Sequence, residues 1–286
     1  MKRLFQFQYA LPLLFLVVVL SGCAGHVENK THLLPQPGQK LIFKSSDQLQ
    51  TIRARGTLRV GVSIFVPWVM HGNKGHLIGY EVDVAKKLAR DIGVTPEFIE
   101  TSWPSILSGL LMDKYDIIIS GLSLTPKRAL LINFSDPYSR SISTLLANRR
   151  LAGKFRDRRH FNRKNTIIGV IENSAGEQAL RQRFPEATIK TFPSENKLIT
   201  ALLDGKLHAI VSSTQKTGYL LNHHKGLIFQ PDIDPISKHA EGFGIRKGDA
   251  DILNFLNTWI LFNTQNGWLS ERHHYWFDTI TWADQL

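Results

Sequence analysis

Residues 115–138 read Y-D-I-I-I-S-G-L-S-L-T-P-K-R-A-L-L-I-N-F-S-D-P-Y, and this stretch combines the patterns of a strand, a turn and a helix start. Its three consecutive isoleucines after Asp116 are typical of a buried strand. Small residues follow at 120–123, and Thr125-Pro126 predicts a helix start with Arg128 in the first turn. A strand end, hydroxyl groups, helix-start amides and a guanidinium together indicate a carboxylate or phosphate site. The same spacing also fits a surface arginine after a turn, and the pattern alone favours neither interpretation.

The segment before this stretch predicts alternating strands and helices. Residues 58–62 and 96–100 have the pattern of strands. Between them, residues 80–92 have the four-residue apolar period of an amphipathic helix, and Gly93 is expected to end it. Another helix is predicted to open at 101–104. This order predicts an α/β fold with a mostly parallel sheet, whose site lies beyond the carboxyl ends of the strands.

A second lobe is predicted after this first one. We interpret the extended run 142–147 as a hinge strand into that lobe and 238–246 as the strand that returns. Because the chain crosses twice, the lobes are discontinuous in sequence and can close on each other by bending at the hinge. The predicted divisions are a signal peptide at 1–22, a tether at 23–46, lobe 1 at 47–143 with 243–286, and lobe 2 with the hinge strands at 144–242.

The N-terminus has the features of an export signal. Lys2 and Arg3 precede an apolar run at 11–20, which is too short to indicate a membrane span. The run ends in Leu20-Ser21-Gly22-Cys23, which resembles a bacterial lipobox, and Cys23 is the only cysteine. We therefore predict lipidation of Cys23 and cleavage before it, which leaves no thiol for a disulfide, a metal or a nucleophile.

The net charge of +11 is concentrated in one segment. Residues 149–164 contain eight basic residues and one acidic residue, so this segment carries +7 (eight minus one) of the total. A nucleic-acid patch is one interpretation, but an exported lipoprotein is expected to have no nucleic-acid partner. We favour a solvated loop, with contact to anionic lipid headgroups as an additional role.

Two motifs resemble signatures of the family 3 periplasmic solute-binding proteins, the polar amino-acid receptors of ABC importers. One is Thr125-Pro126-Lys127-Arg128 with the segment N-F-S-D-P-Y at 133–138, and the other is G-Y-E-V-D-V at 79–84. The resemblance covers residues 47–277 and implies a two-lobed type II periplasmic-binding-protein fold. It implies that Arg128 holds the carboxylate of the ligand. The small residues before it, Ser120, Gly121 and Ser123, would add hydrogen bonds.

The resemblance also implies further ligand contacts. Phe65 and Trp103 correspond to aromatic walls of the site, whereas Trp68 lies at its mouth. From the second lobe the implied contacts are Ser174, Glu177 and Ser213. Amino-acid receptors commonly have an aspartate at the position of Ser213, where it pairs the ligand ammonium. Either Glu177 replaces that aspartate, or the ligand has no ammonium there.

Two other function classes stay open. Cyclohexadienyl dehydratases share the fold, and residues 101–104 and 268–276 look similar to theirs; this resemblance makes Glu177 a candidate general acid. A glutamate in the first turn of a helix is also an ordinary structural residue, and we favour that interpretation, so an enzyme is the alternative rather than the expectation. A ligand-sensing module is the third class.

The remaining expectations follow from the absence of other motifs. The sequence has no G-x-S-x-G, Walker or G-x-G-x-x-G motif, and its two His-His pairs point apart on a helix, so we expect no cofactor and no metal. Glu81 and Asp83 lie in the first turn of a helix, where they favour its dipole, and we interpret them as structural. We expect a monomeric, lipid-anchored receptor with an ABC permease as partner. Ala24 after the lipidated cysteine favours the outer membrane if the host is Gram-negative.

Overall fold

The computed structural model describes residues 48–279 and 281–285, which belong to one compact unit, Ser45–Leu286. The predicted signal peptide, the lipidation site Cys23 and the tether at 23–46 lie outside the described residues. The strands are β1 (Thr57–Val62), β2 (Met70–His71), β3 (Leu77–Ile78), β4 (Thr95–Glu100), β5 (Ile117–Ile118), β6 (Asn133–Phe134), β7 (Ser139–Asn148), β8 (Ile167–Ile171), β9 (Thr188–Phe192), β10 (Ala209–Ser213), β11 (Ile228–Phe229), β12 (Ser237–Glu241) and β13 (Gly244–Ile245).

The helices predicted from the sequence begin where expected: at Tyr80, at Trp103 with a short 3₁₀ turn, and at Pro126. The helix predicted over 80–92 is confirmed, and Gly93 ends it in the left-handed conformation at φ 85°. The α-helices are α1 (Gln48–Arg55), α2 (Tyr80–Ile92), α3 (Ile106–Leu111), α4 (Pro126–Ala129), α5 (Arg149–Ala152), α6 (Arg158–Phe161), α7 (Ala175–Arg183), α8 (Glu195–Leu203), α9 (Thr214–His223), α10 (Ala250–Gln265) and α11 (Trp268–His273). A π-helical turn at His274–Asp278 follows α11, and short 3₁₀ turns lie at Trp103–Ser105 and Thr281–Gln285.

Two sheets form the two lobes of the expected α/β fold. The lobe 1 sheet has the order β4-β1-β5-β13-β6, in which β4, β1 and β5 are parallel and β13 is antiparallel to both neighbours. The lobe 2 sheet has the order β11-β7-β10-β8-β9, with β12 also paired to β7. There β10, β8 and β9 are parallel, whereas β7 is antiparallel to all its partners. All strands but one therefore run in the same direction in each sheet, and the exceptions, β13 and β7, each follow a lobe crossing. The sheets are mostly parallel in strand direction, as predicted, with one antiparallel strand in each.

The chain crosses between the lobes at residues 135–138 and 242–243. The predicted lobe boundary at 143/144 falls inside β7, which already pairs with β12 from Ser139 onwards. The predicted return strand is interrupted at Gly242, where a Cβ atom would lie 2.8 Å from the Leu124 side chain and 3.0 Å from the carbonyl oxygen of Ser135. Any larger residue would crowd these atoms, so glycine favours the close approach by which the two crossings run side by side.

The strand that opens the signature stretch is buried on both faces, which explains its isoleucines. Ile117 packs in the main core of lobe 1 with α2 and α10, whereas Ile118 packs with Ile106 and Leu110 of α3. Lobe 2 likewise has an apolar cluster on each side of its sheet. Among the residues that the structure describes, no helix has both the length and the apolar character needed to cross a bilayer.

The basic segment 149–164 lies on the surface of lobe 2 and includes α5 and α6. All eight of its lysines and arginines are exposed. Arg149 packs its guanidinium 5.2 Å from the ring centre of Phe229, and Asp157 accepts a hydrogen bond from the His160 amide. This exposure agrees with the interpretation of the segment as a solvated surface.

Candidate functional site

A cavity of about 460 Å³ lies between the lobes. This volume is within the range of small-molecule sites, about 300–1,000 Å³. Most of the residues that line it lie at or after the carboxyl ends of β1, β4 and β5 in lobe 1 and of β8, β9 and β10 in lobe 2, and four others lie in β7 and β12. This is the position that the β-α-β order predicts for a site. Ten of the lining residues are serines: Ser63, Ser102, Ser120, Ser123, Ser141, Ser143, Ser174, Ser194, Ser212 and Ser213.

Arg128 lies at the edge of this cavity, in the first turn of α4. Thr125 caps that helix by accepting a hydrogen bond from the Arg128 amide, as the sequence predicts. The guanidinium is buried; its Nη1 donates to the Ser123 carbonyl at 2.8 Å and its Nη2 to the Asn173 carbonyl at 3.0 Å. Its carbon lies 5.5 Å from the ring centre of Trp103. Arg128 itself is not part of the cavity lining.

The charge of Arg128 has no counter-ion among the residues that the structure describes. Within residues 48–279 and 281–285, no carboxylate lies within 4 Å of the guanidinium. Burial lowers the pKa of Arg128 to about 10. The side chain is still cationic at neutral pH, because this value remains well above 7. A buried guanidinium that bonds only to carbonyl groups is therefore available to an anion from outside the protein.

The small residues of the signature stretch line the cavity, and their hydrogen bonds fix the turn. The hydroxyl of Ser120 accepts from the backbone N–H of Ser63 at 2.9 Å. The backbone N–H of Gly121 donates to Glu81 Oε1 at 2.9 Å, and Gly121 has a φ of 62°. The Ser123 carbonyl accepts from Arg128. The amide of Gly121 is thus already used inside the protein.

Phe65 and Trp103, the two predicted aromatic walls, both line the cavity. Trp68 lines it as well and is more buried than expected for a residue at the mouth, with 2% exposure. Its ring centre lies 5.0 Å from that of Phe65. Trp68 therefore packs against Phe65 and also contributes to the cavity wall.

The residues predicted from lobe 2 occupy different positions. Ser174 and Ser213 line the cavity, and each caps a helix: their hydroxyls accept from the amides of Glu177 and Lys216. The carboxylate of Glu177 does not line the cavity. It accepts from the Asn173 amide at 2.8 Å and pairs with Arg181 at 2.8 Å. Glu177 thereby holds the turn at Asn173, whose φ is 58° and whose carbonyl bonds to Arg128.

This architecture matches a known family over most of its length. The bacterial extracellular solute-binding proteins, family 3, match residues 58–279. The chain belongs to this family. The L-cystine-binding protein TcyJ of Escherichia coli K12 is 25% identical over 236 residues, which cover 82% of this chain and 88% of that protein. The ABC transporter glutamine-binding protein GlnH of Bacillus subtilis 168 is 22% identical over 281 residues, 96% of this chain and 97% of that protein.

A solved structure of the same kind confirms the type II periplasmic-binding-protein fold. The ancestral amino acid-binding protein AncCDT-1, a precursor of cyclohexadienyl dehydratase, superposes on this chain with a TM-score of 0.74. The two are 31% identical, and the match covers 80% of this chain and 99% of the ancestral protein. The fold expected from the two signature motifs is therefore correct.

Three carboxylates line the cleft of this family 3 protein, and none was among the predicted ligand contacts. They are Glu100, Glu195 and Glu241. Glu100 is half exposed, and its Oε2 lies 3.0 Å from Nε2 of His71. The sequence carries a weak signal for the other two, because Glu195 follows a helix cap and Glu241 lies in the predicted return strand. Neither signal indicates the direction of the side chain.

Glu195 forms a buried ion pair with Lys216. Glu195 Oε2 contacts Lys216 Nζ, and the two side chains are only 10% and 4% exposed. Burial raises the pKa of Glu195, although Lys216 and the backbone amide of Val66 oppose the rise. Lys216 Nζ also lies 5.5 Å from the ring centre of Phe65 in lobe 1. This pair of lobe 2 therefore contacts the other lobe across the cleft.

Glu81, interpreted from the sequence as a helix-dipole residue, is fully buried next to the site. It accepts from the Gly121 amide and, at 2.6 Å, from the Tyr138 hydroxyl. Burial raises the pKa of Glu81 to about 8, and the nearby charge of Glu241 adds to the rise. Asp83 instead accepts from the indole of Trp276 at 2.8 Å. Both acids thus anchor α2, and Glu81 joins this helix to the turn at Gly121.

The apo protein should lose stability as the pH rises from about 5 to 8, and Glu81→Gln should reduce this loss. The pKa of Glu81 is raised from its ordinary 4.5 to about 8, so the folded state keeps a proton that the unfolded state releases. This contribution is fully present below the unfolded pKa and is lost as the pH rises through the folded one, by up to about 1.4 kcal/mol per pH unit. Urea denaturation at several pH values measures the slope. Glu97→Gln, at an exposed position of β4, is the control, and equal slopes in all three proteins would contradict the prediction.

Proposed function

We propose that this chain is an extracytoplasmic receptor that captures a small carboxylate-bearing solute, an amino acid or a related organic acid, for an ABC importer. The observation that carries this proposal is the buried guanidinium of Arg128, which bonds only to carbonyl groups at the edge of a serine-lined cavity. A buried charge without a counter-ion is unfavourable, and a bound carboxylate would pair it. Relatives named for binding cystine and glutamine support an amino acid as the solute.

Contacts across the cleft support capture by closure of the lobes. Arg128 of lobe 1 donates to Asn173 of lobe 2, and Lys216 of lobe 2 lies over Phe65 of lobe 1. A carboxylate at Arg128 would sit where the lobes meet, so its binding would favour the closed arrangement. The two crossings run side by side and supply the hinge. The closed form is then what a permease would recognise.

The dehydratase alternative has less support than the receptor. It requires Glu177 as a general acid next to the substrate. That carboxylate is held by the Asn173 amide and by Arg181, and it is not part of the cavity lining. A ligand-sensing module would use the same cleft and would differ only in its partner protein.

A ligand screen tests the proposal. The mature protein is purified, unfolded to release any bound solute and refolded, and the solute is identified by mass spectrometry. Thermal shift is then measured with the twenty L-amino acids and a panel of organic acids, together with an assay for phenylpyruvate and phenylalanine formation. We expect stabilisation by a carboxylate-bearing solute without turnover. Turnover of prephenate or arogenate would replace the receptor by the dehydratase.

We also propose that the receptor is monomeric and anchored by lipid on Cys23, in the outer membrane if the host is Gram-negative. Cys23→Ser should yield a protein that is either released from membranes or retained with its signal peptide, because no other thiol can take the lipid. Membrane fractionation and mass spectrometry of the mature N-terminus measure this. Ser21→Ala, which keeps the lipobox pattern of small residues, is the control and should stay membrane-bound. An unmodified Cys23 in the wild-type protein would refute the anchor.

A further inference from the structure

Glu241 is the last residue of β12, directly before the chain returns to lobe 1. It lines the cavity, yet only 3% of the residue is exposed. Trp68 Nε1 donates to its Oε2 at 3.3 Å. Within the described part of the chain, no basic nitrogen lies within 4 Å of this carboxylate. The cavity wall therefore contains a buried acid that lacks a cation, on the same face of β12 as His239.

We propose that Glu241 binds an ammonium group of the solute, so that the ligand is a zwitterion with its carboxylate at Arg128 and its cation at Glu241. The inference rests on the proposed function, because it requires a carboxylate-bearing solute in this cavity. Glu241 would then be the acidic partner of the ligand ammonium, a role that the uncharged Ser213 cannot fill.

Arg128 and Glu241 flank the same residue. Ser123 forms a β-bridge with Glu241, and its carbonyl accepts a hydrogen bond from Arg128. The contacts of both residues therefore converge on Ser123, which lines the cavity. In an α-amino acid the carboxylate and the ammonium are attached to the same carbon atom, so the proposal requires one ligand head group to bridge Arg128 and Glu241.

The other acids near the cleft already have partners. Glu195 is paired with Lys216, and Glu100 lies beside His71. Glu177 is held by Arg181 outside the lining, and the Ser213 hydroxyl accepts from the Lys216 amide. Of the carboxylates in the lining, Glu241 is the one without a basic neighbour within the described residues.

The surroundings of Glu241 favour a cation over a second anion. The titratable groups that face it are Glu81 and Tyr80 from α2 and Tyr138 from the first crossing. Burial raises the pKa of Glu241, and the Ser141 hydroxyl and the Trp68 indole oppose the rise. Two buried carboxylates without a cation tend to share a proton. An incoming ammonium would stabilise their ionised forms, so binding should release a proton near neutral pH.

The decisive experiment compares two ligands that differ only in the cationic group. Calorimetry measures the affinity of the tightest-binding L-amino acid and of the 2-hydroxy acid with the same side chain, for wild-type and Glu241→Gln protein. We expect Glu241→Gln to weaken binding of the amino acid by at least about 30-fold and binding of the hydroxy acid by less than about 3-fold. Glu97→Gln, which removes a carboxylate from an exposed position on β4, is the matched control and should change neither affinity.

The outcomes separate this inference from the proposed function. An equal loss for both ligands would make Glu241 a structural residue and overturn the inference, while the receptor would stand. If the wild-type protein bound no carboxylate-bearing solute at all, the proposed function would fail and the inference with it. A wild-type preference for the hydroxy acid would overturn the inference alone.

A measurement on the wild-type protein tests the inference even if the Glu241→Gln variant does not fold. Calorimetry in buffers of different ionisation enthalpy reports the protons released on binding. We expect release with the amino acid and none with the hydroxy acid, since only the ammonium stabilises the ionised carboxylate pair. Equal proton exchange with both ligands would count against Glu241 whatever the stability of Glu241→Gln.

Discussion

Arg128→Ala should abolish measurable binding of the carboxylate-bearing solute, with little change in the melting temperature of the apo protein. Removing one partner of a buried charge pair costs about 2–5 kcal/mol, which is about 30-fold to several thousand-fold in affinity. The apo protein loses two hydrogen bonds, from Nη1 to Ser123 and from Nη2 to Asn173. It also loses a buried cation that has no counter-ion within the described part of the chain, so the two effects on its stability offset each other.

Two variants make this prediction specific. Lys127→Ala removes the same charge from the neighbouring, exposed position of α4 and should bind like the wild type. Arg128→Lys keeps the charge but loses the planar fork of donors, so its affinity should lie between those of the wild type and Arg128→Ala. Titration calorimetry gives the affinities, and thermal denaturation without ligand gives the stability. Native-like affinity in Arg128→Ala would remove this residue from the site.

The fold could be predicted from the sequence because its main signals are local. The apolar period of α2, the glycine after it and the Thr-Pro pair before α4 each determine the backbone over a few residues. The strand after Tyr115 is apolar on both faces because both faces are covered: Ile117 packs in the main core of lobe 1, and Ile118 packs with residues of α3. The break in the return strand could not be predicted, because a glycine is favoured at position 242 only by the close approach of Leu124 and of Ser135 in the other crossing.

The candidate site was only partly predictable, because some of its residues are placed by local signals and others by partners that are distant in sequence. The serines and aromatics follow strand ends, so the strand order alone brings them to one cavity. The direction of an acidic side chain depends on its partners, which are distant in sequence. Glu177 stands at a helix start that suggests a ligand contact, but Arg181 and the Asn173 amide hold it away from the cavity. Glu195 and Glu241 turn inward because Lys216 and Trp68 lie there.

The ion pair between Glu195 and Lys216 should have the largest effect on stability among the charged residues of the cleft. Lys216→Met should lower the free energy of unfolding by about 3–5 kcal/mol, because it leaves Glu195 buried without a counter-ion. The double variant Glu195→Gln with Lys216→Met should recover most of this loss, since no uncompensated charge remains. Urea denaturation of the apo proteins measures the three stabilities. Lys206→Met, which breaks an exposed pair with Asp204, is the control and should cost at most about 1 kcal/mol.

The pH dependence of Lys216→Met gives this prediction a second test. Burial already raises the pKa of Glu195, and without Lys216, the largest influence opposing that rise, the pKa should rise further. A carboxyl with a raised folded pKa contributes most stability below its unfolded pKa and loses that contribution as the pH rises through the folded pKa. The deficit of Lys216→Met should therefore be smaller at about pH 5 than at about pH 8, and it should be nearly independent of pH once Glu195→Gln is added. A deficit that is the same at both pH values would mean that lost packing over Phe65, and not an unpaired charge, destabilises the variant.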